Sequence, residues 1–251
     1  MNVLKIFLRS WLLAFLLPKP FVGVFYLPRY IKEWKQYACL EKTMSVKLKD
    51  SYPCLTDWVS HTPFDAHYFY QGGWLAREVA KTKPLQHVDI GSSVMSIASL
   101  SGFVKTTFVD YRPLKANLEG LSSVASDILQ LPFRPGSIDS LSCLHVIEHI
   151  GLGRYGDPID PEGSKKAAKE LASLLSPGGR LYLSLPVGKS RICFNAHRVH
   201  SPEQVLAMFS DLQMLSFSCV DDSGVFADDI SEHKANNYNY GCGMFVFQKS
   251  E

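Results

Sequence analysis

The sequence lacks the features that mark several large functional classes. Its six cysteines, Cys39, Cys54, Cys143, Cys193, Cys219 and Cys242, include no Cys-x-x-Cys pair. That spacing excludes a zinc ribbon or a dithiol redox motif and reads as reduced, cytosolic, mostly structural thiols. No glycine-rich loop carrying a lysine occurs, so a phosphate cradle is not the expected ligand site. No apolar run approaches the ~20 residues of a bilayer-spanning helix, because the runs 11–17 and 21–27 are parted by Pro18-Lys19-Pro20. No small-x-small cleavage site follows the first run, which argues against a secretory leader. Internal repeats and low-complexity tracts are also missing.

What is present is enough for one substantial core with an appendage, since 46% of the 251 residues are hydrophobic. The net charge of +2 is unevenly placed, with nine Lys/Arg against three Asp/Glu in residues 1–50, or +6, which leaves −4 for the remainder. An acidic body argues against nucleic acid as a partner, and a basic tail argues for an anionic surface. Trp11, Tyr26, Tyr30 and Trp34 alternate with Lys5, Arg9, Lys19, Arg29, Lys32 and Lys35, residue types that settle at the lipid headgroup level. The expected organisation is a tail over 1–50 that is interfacial or packs on protein, an aromatic and His-rich helical lead-in over 51–84, and an α/β domain over 85–251. The expected location is cytoplasmic, peripheral on the inner face of the membrane.

Beyond Pro84 the apolar pattern alternates between strand and helix periods. Strands are expected near 86–90, 104–110, 123–126, 138–144, 180–185, 213–220 and 242–248, and helices near 94–101, 113–119, 145–150, 163–175 and 202–210. Such alternation predicts an open, mostly parallel seven-stranded sheet with helices on both faces and an antiparallel last strand. Ser176-Pro177-Gly178-Gly179 ends the helix before the fifth strand, because Pro removes a donor and Gly accepts a left-handed turn.

The chemistry-bearing residues sit at strand ends. His87-Val88-Asp89-Ile90-Gly91-Ser92-Ser93 reads as a short strand opening through Asp-x-Gly into a helix, and Asp110 follows Asp89 by 21 residues. That interval matches the roughly 20 residues between a glycine turn and a ribose-binding carboxylate in dinucleotide folds. Together with Asp127-Ile128, Ile138-Asp139-Ser140 through His145-Val146-Ile147-Glu148-His149, and Leu175 through Gly179, this order resembles the successive motifs of class I S-adenosylmethionine-dependent methyltransferases. The run Asn195-Ala196-His197-Arg198-Val199 is similar to a poorly characterised methyltransferase-like family linked to bacterial surface polysaccharides.

The resemblance implies S-adenosylmethionine as cofactor and a small-molecule or glycan-like acceptor, methylated at a hydroxyl or other heteroatom. It places Asp89 and Gly91 against the methionine part, Asp110 on the ribose diol, and Asp127 with the Ile128 backbone at adenine. Ser93 stands where the family often has glycine, and so counts among the cofactor-contacting residues. His145, at the end of the fourth strand, and His197, in a later loop, are the candidate catalytic bases, since an ordinary histidine titrates near ~6.5. Arg191 and Arg198 are candidates for holding an acidic acceptor. No metal ligand is assigned. Two other readings stand beside this one: a non-catalytic scaffold on a degenerate methyltransferase fold, and a zinc peptidase whose His145-x-x-Glu148-His149 would share one helix face.

Overall fold

The structure is a computed structural model that describes Leu8, Trp11, Leu12 and residues 22–112 and 114–251. The chain divides into two compact units, residues 1–63 and 64–251. In the first unit, helix α1 (Val22–Leu40) carries Pro28 within it, and a single 3₁₀ turn follows at Leu48–Asp50. Trp11 donates from Nε1 to Ser51 Oγ at 3.0 Å and meets the Tyr30 ring edge-on, while the Arg29 guanidinium lies 4.4 Å from the Trp58 ring centre. Val24, Phe25, Ile31, Tyr37 and Leu40 of α1 are exposed. Among the described residues, no helix is long and apolar enough to cross a membrane. Lys5, Arg9, Lys19 and most of the run 11–17 lie outside the described residues.

The second unit opens with α2 (Ala66–Thr82), capped by Asp65, whose side chain accepts from the Tyr68 N–H. Then follow β1 (Gln86–Ile90), α3 (Val94–Leu100), β2 (Lys105–Asp110), β3 (Leu121–Ala125), β4 (Ile138–Leu144), α4 (Gly163–Leu174) and β5 (Leu175–Val187). A small hairpin of β6 (Arg191–Cys193) and β7 (His197–Val199) precedes α5 (Pro202–Met208), β8 (Leu212–Val220), β9 (Phe226–Ala227) and β10 (Gly241–Lys249). Among the described residues the main sheet has eight strands, in the order β3-β2-β1-β4-β5-β10-β8-β9. The pairs from β3 to β5 are parallel, whereas β10 runs antiparallel between β5 and β8. The expected fold class is thus observed, with the two-residue β9 as an eighth strand at the edge.

Side chains along the central strands alternate between two cores, as the period of two requires. Leu181, Leu183 and Leu185 of β5 and Phe245 and Phe247 of β10 join Ala167, Leu171 and Val205 from α4 and α5. On the other face Tyr182, Met244 and Val246 join Trp74, Val79, Ile97 and Leu100 from α2 and α3. The α2 helix is also pinned by polar contacts, since Ser184 Oγ donates to Gln71 Oε1 and Thr82 Oγ1 lies 3.1 Å from the Tyr182 hydroxyl.

Two expected helices are corrected. Residues 114–120 form no helix, although helix was expected over 113–119. The link from β2 to β3 must run back the length of a six-residue strand, about 20 Å, which ten helical residues at 1.5 Å each cannot cover. The helix expected over 145–150 is only a 3₁₀ turn at Ile147–His149. It stops at Gly151, whose φ is +82° and where an added Cβ would strike the Asp160 carbonyl.

Candidate active site

The sheet order reverses between β1 and β4, and in open α/β sheets the crevice at such a point, beyond the carboxyl ends of the strands, is where ligands sit. At the end of β1 the chain turns through Gly91, with φ +67°. The turn is held from beneath by Asp89, which accepts from the Ser92 N–H at 3.1 Å, from Ser92 Oγ at 2.6 Å and from Ser142 Oγ. Ser92 Oγ in turn accepts from the Leu144 N–H at 3.0 Å, tying the turn to β4. His87 is bonded at Nε2 to Ser142 Oγ and at Nδ1 to Ser140 Oγ. Because Ser142 gives its hydroxyl proton to Asp89, it must receive one from His87 Nε2, which leaves Nδ1 to accept from Ser140.

Asp89 therefore does not face a ligand, and its expected contact with the methionine part is corrected. It has no exposed surface and lines neither cavity at the strand ends. Its role is to shape the turn so that the backbone at Gly91 is left bare. Ser93 caps α3 at φ −61°, a conformation open to any residue, so the place needs no glycine. Its side chain makes no capping bond and lines the larger of the two cavities.

The smaller cavity, about 180 Å³, is walled by Gly91, Asp110, Arg112, Asp127, Ile128, Val146, His149 and Tyr155, among others. Asp110 ends β2, where its Oδ1 accepts from the Arg112 N–H at 2.7 Å, and its Oδ2 faces Gly91. Asp127 is exposed and accepts at Oδ1 from the Leu129 N–H, while Ile128 is buried behind it. Carboxylates at two successive strand ends with a bare glycine between them and the next strand fit the ribose diol and adenine amine of S-adenosylmethionine, which both call for acceptors.

The larger cavity, about 910 Å³, is lined by His67, Tyr68, Ser93, His145, His149, Arg154, Tyr155, His197 and Tyr240. His145 follows β4 directly and holds a left-handed backbone, φ 55°. Its Nδ1 lies 2.9 Å from Glu148 Oε1 and its Nε2 lies 3.3 Å from Cys242 Sγ. Burial disfavours a charge on this ring, but the Cys242 sulfur and the Glu148 carboxylate outweigh it and hold the pKa well above the ordinary histidine value. With both nitrogens engaged and a proton held, His145 is not a free base, which corrects the expectation. Glu148, fully buried, has its pKa lowered against burial by His145 and then by His149. His149 gives its Nδ1 to the Ala196 carbonyl at 2.6 Å.

His197 lines the same cavity, its ring 4.9 Å from that of Tyr240. Burial and the neighbouring His149, Arg191 and Arg154 hold its pKa below the ordinary value despite Glu148, so it is neutral at pH 7. Tyr240 is pushed up to about 12 by burial and nearby negative charge, and remains a phenol donor. Arg198 is buried and donates to the Ile150 and Asp160 carbonyls and to Ser164 Oγ, so it clamps the 148–164 segment and holds no acceptor. Arg191 is exposed and donates to the Asn239 carbonyl.

His145-x-x-Glu148-His149 does not make a peptidase pair. The five residues span no α-helix, and Glu148 lies buried between the two rings where no substrate water reaches it. The site residues that the motifs did not mark are His67, Tyr68, Arg154, Tyr155 and Tyr240. The aromatic and His-rich lead-in over 51–84 was the one signal for the first two.

A family described as a Caenorhabditis protein of unknown function, DUF268, matches residues 128–248. The ubiquinone biosynthesis O-methyltransferase of Xanthomonas euvesicatoria is 28% identical over 114 residues, 45% of this chain and 38% of the relative. That of Marinobacter nauticus is 27% identical over 114 residues, 45% of this chain and 40% of the relative. The match thus spans well under half the length of these relatives. Among solved structures, the N-methyltransferase NodS of Bradyrhizobium japonicum, in complex with S-adenosylhomocysteine, superposes with a TM-score of 0.52 at 17% identity, covering 73% of this chain and 87% of that one. The YcgJ protein of Bacillus subtilis superposes with a TM-score of 0.51 at 16% identity, covering 73% and 99%. The chain has the Rossmann-like fold of class I methyltransferases.

The network under the turn makes a pH prediction. Burial pushes Asp89 up to about 6 and pulls His87 down to about 3. Between about pH 4 and 6 native Asp89 keeps a proton that the unfolded chain has lost, so its contribution to stability falls as pH rises. Native His87 lacks a proton that the unfolded chain has gained, so its contribution rises, and the two cancel. His87→Gln removes only the second. The stability of the variant relative to the parent should therefore fall by about 1.4 kcal/mol per pH unit across that window. Urea unfolding at pH 4, 5 and 6 measures it, and a difference independent of pH would refute the assigned charge states.

Proposed function

We propose that this protein is an S-adenosylmethionine-dependent methyltransferase acting on a hydroxyl or other heteroatom of a small-molecule or glycan-like acceptor. The observation that carries the reading is that the two cavities share a wall made of Gly91, His145, His149 and Tyr155. A group held against Asp110 and Asp127 on one side would thus face an acceptor held among histidines and tyrosines on the other. The cofactor, when bound, supplies a methyl group activated on a sulfonium. In this reading Asp110 Oδ2 accepts from the ribose, Asp127 and the Ile128 backbone read adenine, and the bare backbone at Gly91 lets the chain approach closely. His145, fixed by Glu148, forms a rigid partition between the two halves. His197 takes the acceptor proton, and Tyr240 donates to the acceptor oxygen or its neighbour. The match to O-methyltransferases supports an oxygen as the methylated atom.

Titration with S-adenosylhomocysteine tests the cofactor half. Full-length protein should bind it saturably, and Asp110→Ala should weaken binding by about 1.5–3 kcal/mol, the worth of charge-assisted hydrogen bonds, with the thermal unfolding curve preserved. Absence of binding at millimolar ligand, or an unchanged affinity in the variant, would sink the assignment and favour the scaffold reading.

The acceptor half is tested with whichever molecule gains labelled methyl when extracts are screened. His197→Asn should lower kcat by ~10²- to 10⁴-fold, the usual worth of a general base, with S-adenosylhomocysteine affinity unchanged. Because a base must be unprotonated, the parent's kcat/KM should rise with pH through a value below 6.5 and then level off, and the variant should lose that limb.

We also propose that the first unit attaches the protein to an anionic membrane from the cytoplasmic side. The exposed Val24, Phe25, Ile31 and Leu40 and the +6 charge of residues 1–50 support this, each basic residue near the surface contributing about 1 kcal/mol. Full-length protein should float with phosphatidylserine vesicles at low salt, and Phe25→Glu or 0.5 M salt should release it. Equal flotation with neutral vesicles, or none with anionic ones, would contradict the proposal.

A further inference from the structure

At the wall of the larger cavity and just behind it lies a group of side chains whose combined chemistry the methyl-transfer reading leaves unused. His67 from α2, His145 from the end of β4 and Cys242 from β10 bring their ligand atoms within 4.8 Å of one another, and Cys242 is fully buried at the base of the group. His145 Nε2 and Cys242 Sγ are 3.3 Å apart. A tetrahedral zinc ion with Zn–N near 2.05 Å and Zn–S near 2.3 Å would set such a pair about 3.6 Å apart, so a few tenths of an ångström would admit it.

The surroundings have the form that metal-binding histidines take. His145 Nδ1 meets the Glu148 carboxylate at 2.9 Å, which fixes the ring, so a cation would displace the protons of His145 Nε2 and the Cys242 thiol and take their place between the two atoms. Glu148 is wholly buried and its Oε2 has no hydrogen-bond partner, so a negative charge lies in the interior with part of its demand unmet. A cation beyond His145 would answer it. The His145 backbone is held in the left-handed region, φ 55°, a conformation costing about 1 kcal/mol or more outside glycine, and it aims the ring at Cys242. His67 is held over the site by rings on both sides, stacked 5.5 Å from His145 and 5.2 Å from Tyr240.

We propose that His67, His145 and Cys242 bind a thiophilic divalent cation of the zinc class, with its fourth position open to the larger cavity. One thiolate and two imidazoles suit zinc, whereas magnesium and calcium prefer oxygen ligands. Three protein ligands with one position left free is the arrangement of zinc sites that engage a substrate. His67 and His145 line the cavity, so the free position would meet an acceptor oxygen and lower its pKa, with His197 in the same cavity to take the proton. The cation site itself stands without the methyl-transfer reading, and only this role toward the acceptor rests on it.

The test uses the full chain, stripped with chelator and titrated with cobalt(II). It should take up one equivalent with a sulfur-to-cobalt charge-transfer band in the near ultraviolet, and zinc should displace the cobalt. Cys242→Ser should abolish the band and weaken binding at least ~100-fold, while Glu148→Gln should weaken it ~10- to 100-fold and keep the band. His67→Ala, a change on a half-buried helix position, should weaken binding with the band retained, and it serves should the Cys242 variant fail to fold. Circular dichroism melting and S-adenosylhomocysteine titration of each variant report the fold and the cofactor half separately. A chain that binds cobalt but not S-adenosylhomocysteine would uphold the metal site and sink the methyltransferase reading. No saturable spectrum, a band that survives Cys242→Ser on Cys39 or Cys54, or an affinity indifferent to His67→Ala would each overturn the proposal.

Discussion

Asp89 is a carboxylate with no exposure to water, and the shape of the crevice depends on its being satisfied. An ionised group so placed is tolerable only if its lone pairs are met by donors in fixed positions. Here the donors are the Ser92 N–H, Ser92 Oγ and Ser142 Oγ, and the last is oriented by His87. The hydrogen bonds run from β4 to β1 and back to the Leu144 N–H, so they lock the two strands between which the sheet order reverses. With Ser92 drawn downward, Gly91 is left to turn with positive φ and no side chain above the crevice. The approach of Asp110 Oδ2 to that turn follows from the parallel register, which sets Asp89 beside Phe108 and carries β2 on to Asp110.

Glu148 repeats the device one strand along with a different outcome. It is as buried as Asp89, but its partners are rings that face a cavity, so the charge it holds is projected into the site and does not close on the backbone. Each of its neighbours has a second contact that limits its freedom, Cys242 for His145 and the Ala196 carbonyl for His149. Among the cavity's histidines, neighbouring negative charge raises the pKa of His145, while burial lowers those of His67 and His197. Environments that push like groups apart in this way divide a site into fixed and reactive members.

Much of the fold was readable because strands buried on both faces and amphipathic helices of two to three turns write clear periods. The helices over 94–100, 163–174 and 202–208 fell within a residue or two of expectation. The two that failed were decided by distance and close packing, quantities that apolar spacing does not carry. The sequence motifs did place Asp110 and Asp127 at successive strand ends, where both line the smaller cavity, and His197 in a loop segment that lines the larger one. Asp89 was misread because its motif gives the residue type and not the direction of the side chain, and the serines that capture it, Ser92 and Ser142, are unremarkable in sequence. Cys242 carried no signal either, since a lone cysteine in a strand looks like any small buried hydrophobe. Its chemistry arises only when the His145 ring, at the end of β4, reaches across β5 to the start of β10, 97 residues on.

The halves of the crevice also differ in how they are built. Asp110 and the Gly91 turn sit on strand ends whose positions are set by the sheet, which suits a ligand common to many proteins of this fold. The larger cavity is closed by the start of α2, by the 153–157 loop and by the segments around His197 and Tyr240, all outside the regular sheet. Loops on a rigid scaffold can vary without disturbing the core, so they carry specificity. The DUF268 match begins at Ile128 and ends at Gln248, leaving out Asp89, Gly91 and Asp110 but taking in His145, Glu148, His149, Tyr155, His197, Tyr240 and Cys242. The matched segment thus holds much of the lining of the larger cavity, with Glu148 and Cys242 behind it, while His67, Tyr68 and Ser93 of that cavity lie outside it. Under the proposed function, an acceptor would be selected by the residues of that cavity more than by the turn that first marks the fold.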